Sequence, residues 1–118
     1  MIHFLFPLEE LPVGEMRSVD VDGLSVVVAR PKGDKVYALR DVCPHAGAKL
    51  SHGNLLQTFR AGGVGPEGGY ELADKFAIFC PWHGYEMDVE NGQCLADSRS
   101  RVKTYTARVI DGMVTVER

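Results

Sequence analysis

Two short segments, Cys43-Pro44-His45-Ala46-Gly47 and Cys80-Pro81-Trp82-His83-Gly84, constrain this chain more than any other feature. Each presents one cysteine and one histidine on a glycine-ended turn. Their spacings differ, C-x-H in the first and C-x-x-H in the second. A fold that brings the two together gathers two thiolates and two imidazoles, a set suited to four-ligand metal binding. Either a tetrahedral Cys2His2 zinc site or an iron–sulfur centre with mixed ligands would use such a set. Pro44 and Pro81 stiffen the segments by fixing φ. Gly47 and Gly84 allow the backbone to pass close to a bound group.

The rest of the chain reads as a scaffold of strands. Helical periodicity is nearly absent, and short β-branched and aromatic runs alternate with turn signals, which predicts an all-β antiparallel sandwich or barrel. Strands are expected at Ile2–Phe6, Met16–Val21, Leu24–Arg30, Lys35–Leu39, Phe76–Cys80, Tyr85–Val89, Val102–Ile110 and Met113–Glu117. Asp22-Gly23 and Asp111-Gly112 are tight-hairpin signatures. Pro31-Lys32-Gly33-Asp34 and Asn91-Gly92 are further turns. One helical turn is expected at Glu9–Leu11. Both Cys/His segments follow a strand, so paired strands would fix the loops at one end of the scaffold.

With 118 residues the chain is long enough for one domain with a core and too short for two. Thirteen basic and sixteen acidic residues give a net charge of -3, with no basic stripe, which argues against nucleic acid. No apolar run reaches the ~20 residues of a membrane span, and the apolar opening Met1–Phe6 lacks the basic start of a secretion signal. Three cysteines, Cys43, Cys80 and Cys94, are too few and odd in number for a disulfide framework. That usage suits a reducing, cytoplasmic setting.

On these motifs the chain resembles a small Rieske-type [2Fe–2S] ferredoxin of the soluble, low-potential, oxygenase-associated kind. Pro44–Leu50 is like that family's PHxGAxL stretch and Trp82–Gly92 like its WHGxxFDxxxG stretch, and the resemblance covers most of residues 4–117. It implies an all-β Rieske-type sandwich or barrel with a cluster-binding part formed by the two loops. The expected division is one domain, 1–118, with a base of 1–41 and 96–118 and a cluster-binding part of about 42–95. The resemblance also implies one [2Fe–2S] cluster per chain, with Cys43 and Cys80 on one iron and His45 and His83 on the other through Nδ1. Such a protein is a one-electron carrier between a flavin-dependent reductase and a terminal oxygenase of the ring-hydroxylating dioxygenase type. It is a component of an oxidoreductase system, not catalytic alone, and a monomer when free. A mildly acidic carrier favours a partner with a basic docking patch. Two alternatives remain: a small Rieske-like subunit of a nitrite-reductase-type complex, and a structural zinc module.

The sequence departs from the family pattern at several places. Respiratory members are tethered by an N-terminal helix and carry an extra Cys in each loop. No such helix is expected here, and the corresponding loop positions are Ala48 and Trp82. Positions 46–79 separate His45 from Cys80, about twice the family spacing, and the excess is placed within Gln57–Asp74. Its glycine-rich run Ala61–Gly69 reads as a flexible surface loop with no ligand candidate, either a neutral insertion or a flap that contacts a partner. High-potential members have Ser and Tyr hydroxyls that donate to the cluster; here those positions are Tyr85 and Met87. Cys94 reads as a small buried apolar residue, His52 as a solvated loop residue and His3 as a strand residue. Trp82 is a packing residue or a surface electron conduit. Glu9, Glu10, Asp88, Glu90 and Asp97 read as solvated surface, with an acidic docking face as the sharper alternative.

Overall fold

The computed structural model describes residues 1–44, 47–61, 70–81, 85–95 and 99–118, with the backbone alone at 58–61 and 70–74. Among these residues the chain forms strands β1 (Ile2–Pro7), β2 (Glu15–Val21), β3 (Leu24–Lys32), β4 (Lys35–Arg40), β5 (Asn54–Ala61), β6 (Tyr70–Phe79), β7 (Glu86–Asp88), β8 (Thr104–Ile110) and β9 (Met113–Glu117). Two single 3-10 turns, Leu8–Glu10 and Leu50–His52, complete the elements. The strand pairs are antiparallel, as expected for an all-β chain. No helix among the described residues is long and apolar enough to cross a membrane.

The Asp-Gly pairs act as their chemistry demands. Val21 pairs with Leu24 and Ile110 with Met113, leaving two-residue loops. Asp22 and Gly23 have φ of 57° and 85°, and Asp111 and Gly112 of 51° and 77°; two positive φ values are what a primed hairpin turn needs.

The strands form two sheets. Six lie in the order β1-β9-β8-β4-β3-β2, and three in the order β5-β6-β7. The larger sheet curls until its two edge strands meet. The Arg17 guanidinium of β2 sits 4.5 Å from the centre of the Phe6 ring of β1. Arg118 Nη1 donates to the carbonyls of Val21 and Asp22, at 3.1 and 2.9 Å. Arg30 Nη1 likewise reaches the Leu11 carbonyl at 2.9 Å.

Strands β3 and β4 are buried on both faces. Val26, Val28, Val36 and Ala38 join a core with Phe6, Leu11, Val21, Val114 and Val116 inside the larger sheet. Val27 and Leu39 face the other way, into a second core with Leu50, Ile78, Met87 and Val89. Val26, Val27, Val28 and Ala29 are all fully buried, so polar and apolar residues do not alternate there. Full burial of each of these valine side chains is worth about 1.5–3 kcal/mol.

The main departure from the sequence reading lies in the long spacer. Its flanks are not loop: β5 pairs with β6 from Asn54↔Phe79 to Ala61↔Tyr70, with a register shift between Gln57 and Phe59. Much of the excess is therefore a ribbon that lengthens the smaller sheet, while residues 62–69 lie outside the described residues. Asn54-Leu55-Leu56-Gln57 lacks alternation, so cross-strand pairing decides the structure there more than local pattern. Smaller shifts have similar causes. β3 runs on through Pro31 and Lys32 past a bulge, which shortens the turn to Gly33-Asp34. β7 is only three residues long, yet the Cys80 N–H to Tyr85 carbonyl and Val89 N–H to Phe76 carbonyl bonds carry its pairing with β6 one residue further at each end.

Gly53 joins the second 3-10 turn to β5, and a Cβ there would overlap the carbonyl of Phe79, the last residue of β6. Gly53→Ala should therefore cost about 1–3 kcal/mol, as overpacking against rigid backbone does. Denaturant unfolding measures this; a loss below about 0.5 kcal/mol, the scale of a neutral surface change, would show that the corner relaxes freely.

Candidate metal centre

The two cysteines head loops that close in the same way. Cys43 N–H donates to the Ala48 carbonyl at 2.7 Å, and Cys80 N–H to the Tyr85 carbonyl at 2.8 Å. In each the cysteine amide reaches the carbonyl five residues on, although the histidine offsets differ. In the first loop Gly47 N–H also returns to the Cys43 carbonyl at 2.9 Å, with Gly47 at φ 70°. That left-handed conformation is cheap only for glycine.

Both cysteines are buried, 1% and 3% exposed, and both belong to the second core with Leu50, Ile78 and Met87. No disulfide joins any of the three cysteines. The flanking Pro44 and Pro81 are exposed, so each loop turns outward directly after its buried cysteine. His45, Trp82, His83 and Gly84 lie outside the described residues.

The remaining candidates occupy distinct places. Cys94 is 1% exposed in the same core as Cys43 and Cys80, bridged to Met87. His52 is exposed at the end of the second 3-10 turn, and His3 lies in β1 opposite Val116. Met87 is fully buried and pairs with Ile78, so a thioether occupies that position in the core. Tyr85 is half-buried against the same core. Glu9, Glu10 and Glu90 are exposed, and Asp97 lies outside the described residues. Asp88 corrects the surface reading. It is 3% exposed, accepts the Glu90 N–H at 2.8 Å and faces Lys75 Nζ at 3.8 Å. It holds the turn after β7 and is no part of a docking face.

Asp41, two residues before Cys43, carries no signal in the sequence. Its carboxylate is fully buried beneath more exposed serines. Oδ1 accepts Ser51 N–H at 2.8 Å, and Oδ2 accepts Ser51 Oγ–H at 2.7 Å and Ser18 Oγ–H at 2.8 Å. Ser25 Oγ lies at 3.5 Å and Lys49 Nζ at 3.8 Å from Oδ2. Burial pushes its pKa up and is the largest single influence. The Ser51 and Ser18 hydrogen bonds and the Lys49 charge together outweigh it, so the carboxyl titrates below its ordinary range. The three serines stand 10, 16 and 23 residues away in sequence, which is why no local pattern announces them.

A family model of the Rieske [2Fe-2S] domain matches residues 2–106. The chain belongs to the Rieske [2Fe–2S] domain family. Among curated relatives, it is 28% identical over 113 residues to cholesterol 7-desaturase of Xenopus laevis. That match takes in 90% of this chain but 21% of the desaturase, so the chain spans about a fifth of that relative. The ferredoxin of carbazole 1,9a-dioxygenase from Nocardioides aromaticivorans IC177 superposes with a TM-score of 0.73 at 28% identity, over 98% of this chain and 96% of the other. A Mycobacterium tuberculosis protein described as an NADH-dependent nitrite reductase small subunit superposes at 0.83, over 100% and 95%, with 24% identity. It shares the fold.

A Rieske domain holds one [2Fe–2S] cluster, with thiolates on one iron and imidazoles on the other. The described residues fit that group. Two cysteine thiols without a disulfide stand in one apolar core, each heading a closed loop.

The lowered Asp41 pKa carries a stability consequence. The fold favours the carboxylate, so its contribution is fully present above about pH 4, the unfolded aspartate range, and is lost as pH falls through the lower folded value. Asp41→Asn should cost about 2–4 kcal/mol at neutral pH, the scale of several charge-assisted hydrogen bonds. In denaturant unfolding, the gap between wild type and variant should stay constant near neutrality and narrow below about pH 4. A gap that widens in acid would reverse the sign.

Proposed function

We propose that the protein is a one-electron carrier in which Cys43 and Cys80 hold one iron of a Rieske cluster, and His45 and His83 the other. The observation that carries this reading is the pair of cysteine-headed loops with the same backbone closure and a common buried core. When bound, the cluster accepts and releases a single electron. The chain's own residues do the rest. The apolar core of Leu50, Ile78 and Met87 keeps water from the thiolates. The prolines and the loop-closing amides hold both sulfurs ready, which reduces the rearrangement that accompanies electron transfer.

The partners we propose are a flavin-dependent reductase as donor and a terminal oxygenase as acceptor. The likeness to a dioxygenase ferredoxin over nearly the full length of both chains supports this. The chain then acts as a component of an oxidoreductase system, in a reducing compartment such as the cytoplasm. Three cysteines without a disulfide agree with that setting. The proposed division places the base in residues 1–41 and 96–118 and the cluster-binding part between them. The sheets support it, since β1–β4 and β8–β9 form one and β5–β7 the other.

Purified protein should be red-brown with about two irons and two labile sulfides per chain. Cys43→Ala and Cys80→Ala should abolish assembly, while Cys94→Ser and His52→Ala keep the visible spectrum. Stoichiometric zinc without sulfide from iron-sufficient cells would overturn the assignment. The reduction potential should fall in the lower part of the Rieske range of about -150 to +300 mV, because position 87 offers a buried thioether where high-potential members have a hydroxyl donor. Voltammetry giving more than about +150 mV, in the upper part of that range, would show that other donors compensate.

A further inference from the structure

The two ligand loops are supported by different physics. The second loop rises from a ladder: Ile78 pairs with Met87 and Phe79 with Glu86, so its stems are two strands zipped together just below Cys80. Among the described residues the first loop has no such ladder. Its incoming stem ends with β4 at Arg40, and its outgoing stem enters the 3-10 turn Leu50–His52. What ties these stems is the Asp41 carboxylate, which takes both the N–H and the hydroxyl of Ser51 on the far side of the loop. The same carboxylate takes Ser18 Oγ–H from β2, and Asp41 N–H donates to the Ser25 carbonyl of β3 at 3.0 Å. One buried charge thus fastens both stems of the loop to the larger sheet.

We propose that Asp41 is a positioning residue for the iron–sulfur centre: it takes the place of a strand ladder under the first ligand loop, and its fixed negative charge lowers the centre's reduction potential. This rests on the reading of Cys43 and His45 as ligands. Two effects follow from one group. Mechanically, the clasp holds the Cys43–Ala48 loop closed and slows loss of iron. Electrostatically, a buried carboxylate two residues from Cys43 opposes the arrival of an electron. Lys49, 3.8 Å away and half exposed, screens it only in part.

The two effects separate by substitution in the cluster-loaded protein. Asp41→Asn keeps the shape and removes the charge, so the potential should rise and bleaching by an iron chelator should quicken several-fold. Ser51→Ala removes a donor and keeps the charge; bleaching should quicken while the potential stays much nearer that of wild type. Asp41→Glu restores the charge and should return the potential toward wild type. Asp34→Asn, at an exposed ion pair with Arg30 in the β3–β4 turn, should change neither readout. A potential unchanged or lowered in a cluster-loaded Asp41→Asn protein overturns the electrostatic role. Wild-type bleaching kinetics in Ser51→Ala overturn the clasp, and that variant decides the mechanical role if Asp41→Asn fails to assemble. Absence of iron and sulfide from the wild type would instead defeat the ligand reading itself.

Discussion

Strands β3 and β4 form a wall with a core on each side, and the rest of the molecule is arranged around that constraint. A strand can serve two cores only if residues of both parities are apolar. Val26-Val27-Val28-Ala29 meets this demand with four consecutive small aliphatic side chains. The even-numbered valines fill the interior of the curled sheet, and Val27 with Leu39 forms the floor beneath the cysteine loops. The first loop begins where β4 ends, so the wall that separates the cores also delivers Cys43 to the second of them.

The two loops reach the same closure by separate routes. Around Cys80 the strands themselves converge, and the closing Cys80–Tyr85 bond continues the β6–β7 ladder. Around Cys43 the chain leaves the sheet, and side chains do the work of backbone: a carboxylate collects donors from the two strands behind it and from the turn ahead. A ladder distributes its strength over several modest bonds. A buried carboxylate concentrates it in one group, whose desolvation is tolerable because its oxygens are met by short hydrogen bonds.

What was legible in the sequence follows the range of the interactions. The Asp22-Gly23 and Asp111-Gly112 turns announce hairpins because the φ values they permit are local properties. The cysteine loops are legible because proline, glycine and ligand residues sit within a few positions of one another. β5 was not legible, since Asn54-Leu55-Leu56-Gln57 acquires its conformation from β6 across the ladder. Asp41 was still less so. A buried aspartate is identified by donors, and these come from Ser18, Ser25 and Ser51, none of them its neighbour in sequence.

The register of the larger sheet has a consequence for how the molecule is made. β5, β6 and β7 pair among themselves within residues 54–88, whereas β1 must wait for β9 to form pairs such as Ile2↔Glu117. A chain that emerges from the ribosome N-terminus first therefore completes both cysteine loops and the β2–β4 wall before β8 and β9 exist. Contacts of such long sequence separation carry the larger loop-closure entropy and form late. During that interval the side of the wall with Val26, Val28, Val36 and Ala38 lacks Val114 and Val116 and lies between open strand edges. The nascent protein is then open to mispairing with other chains on the side away from the cysteines, and the arrival of β8 and β9 ends that exposure.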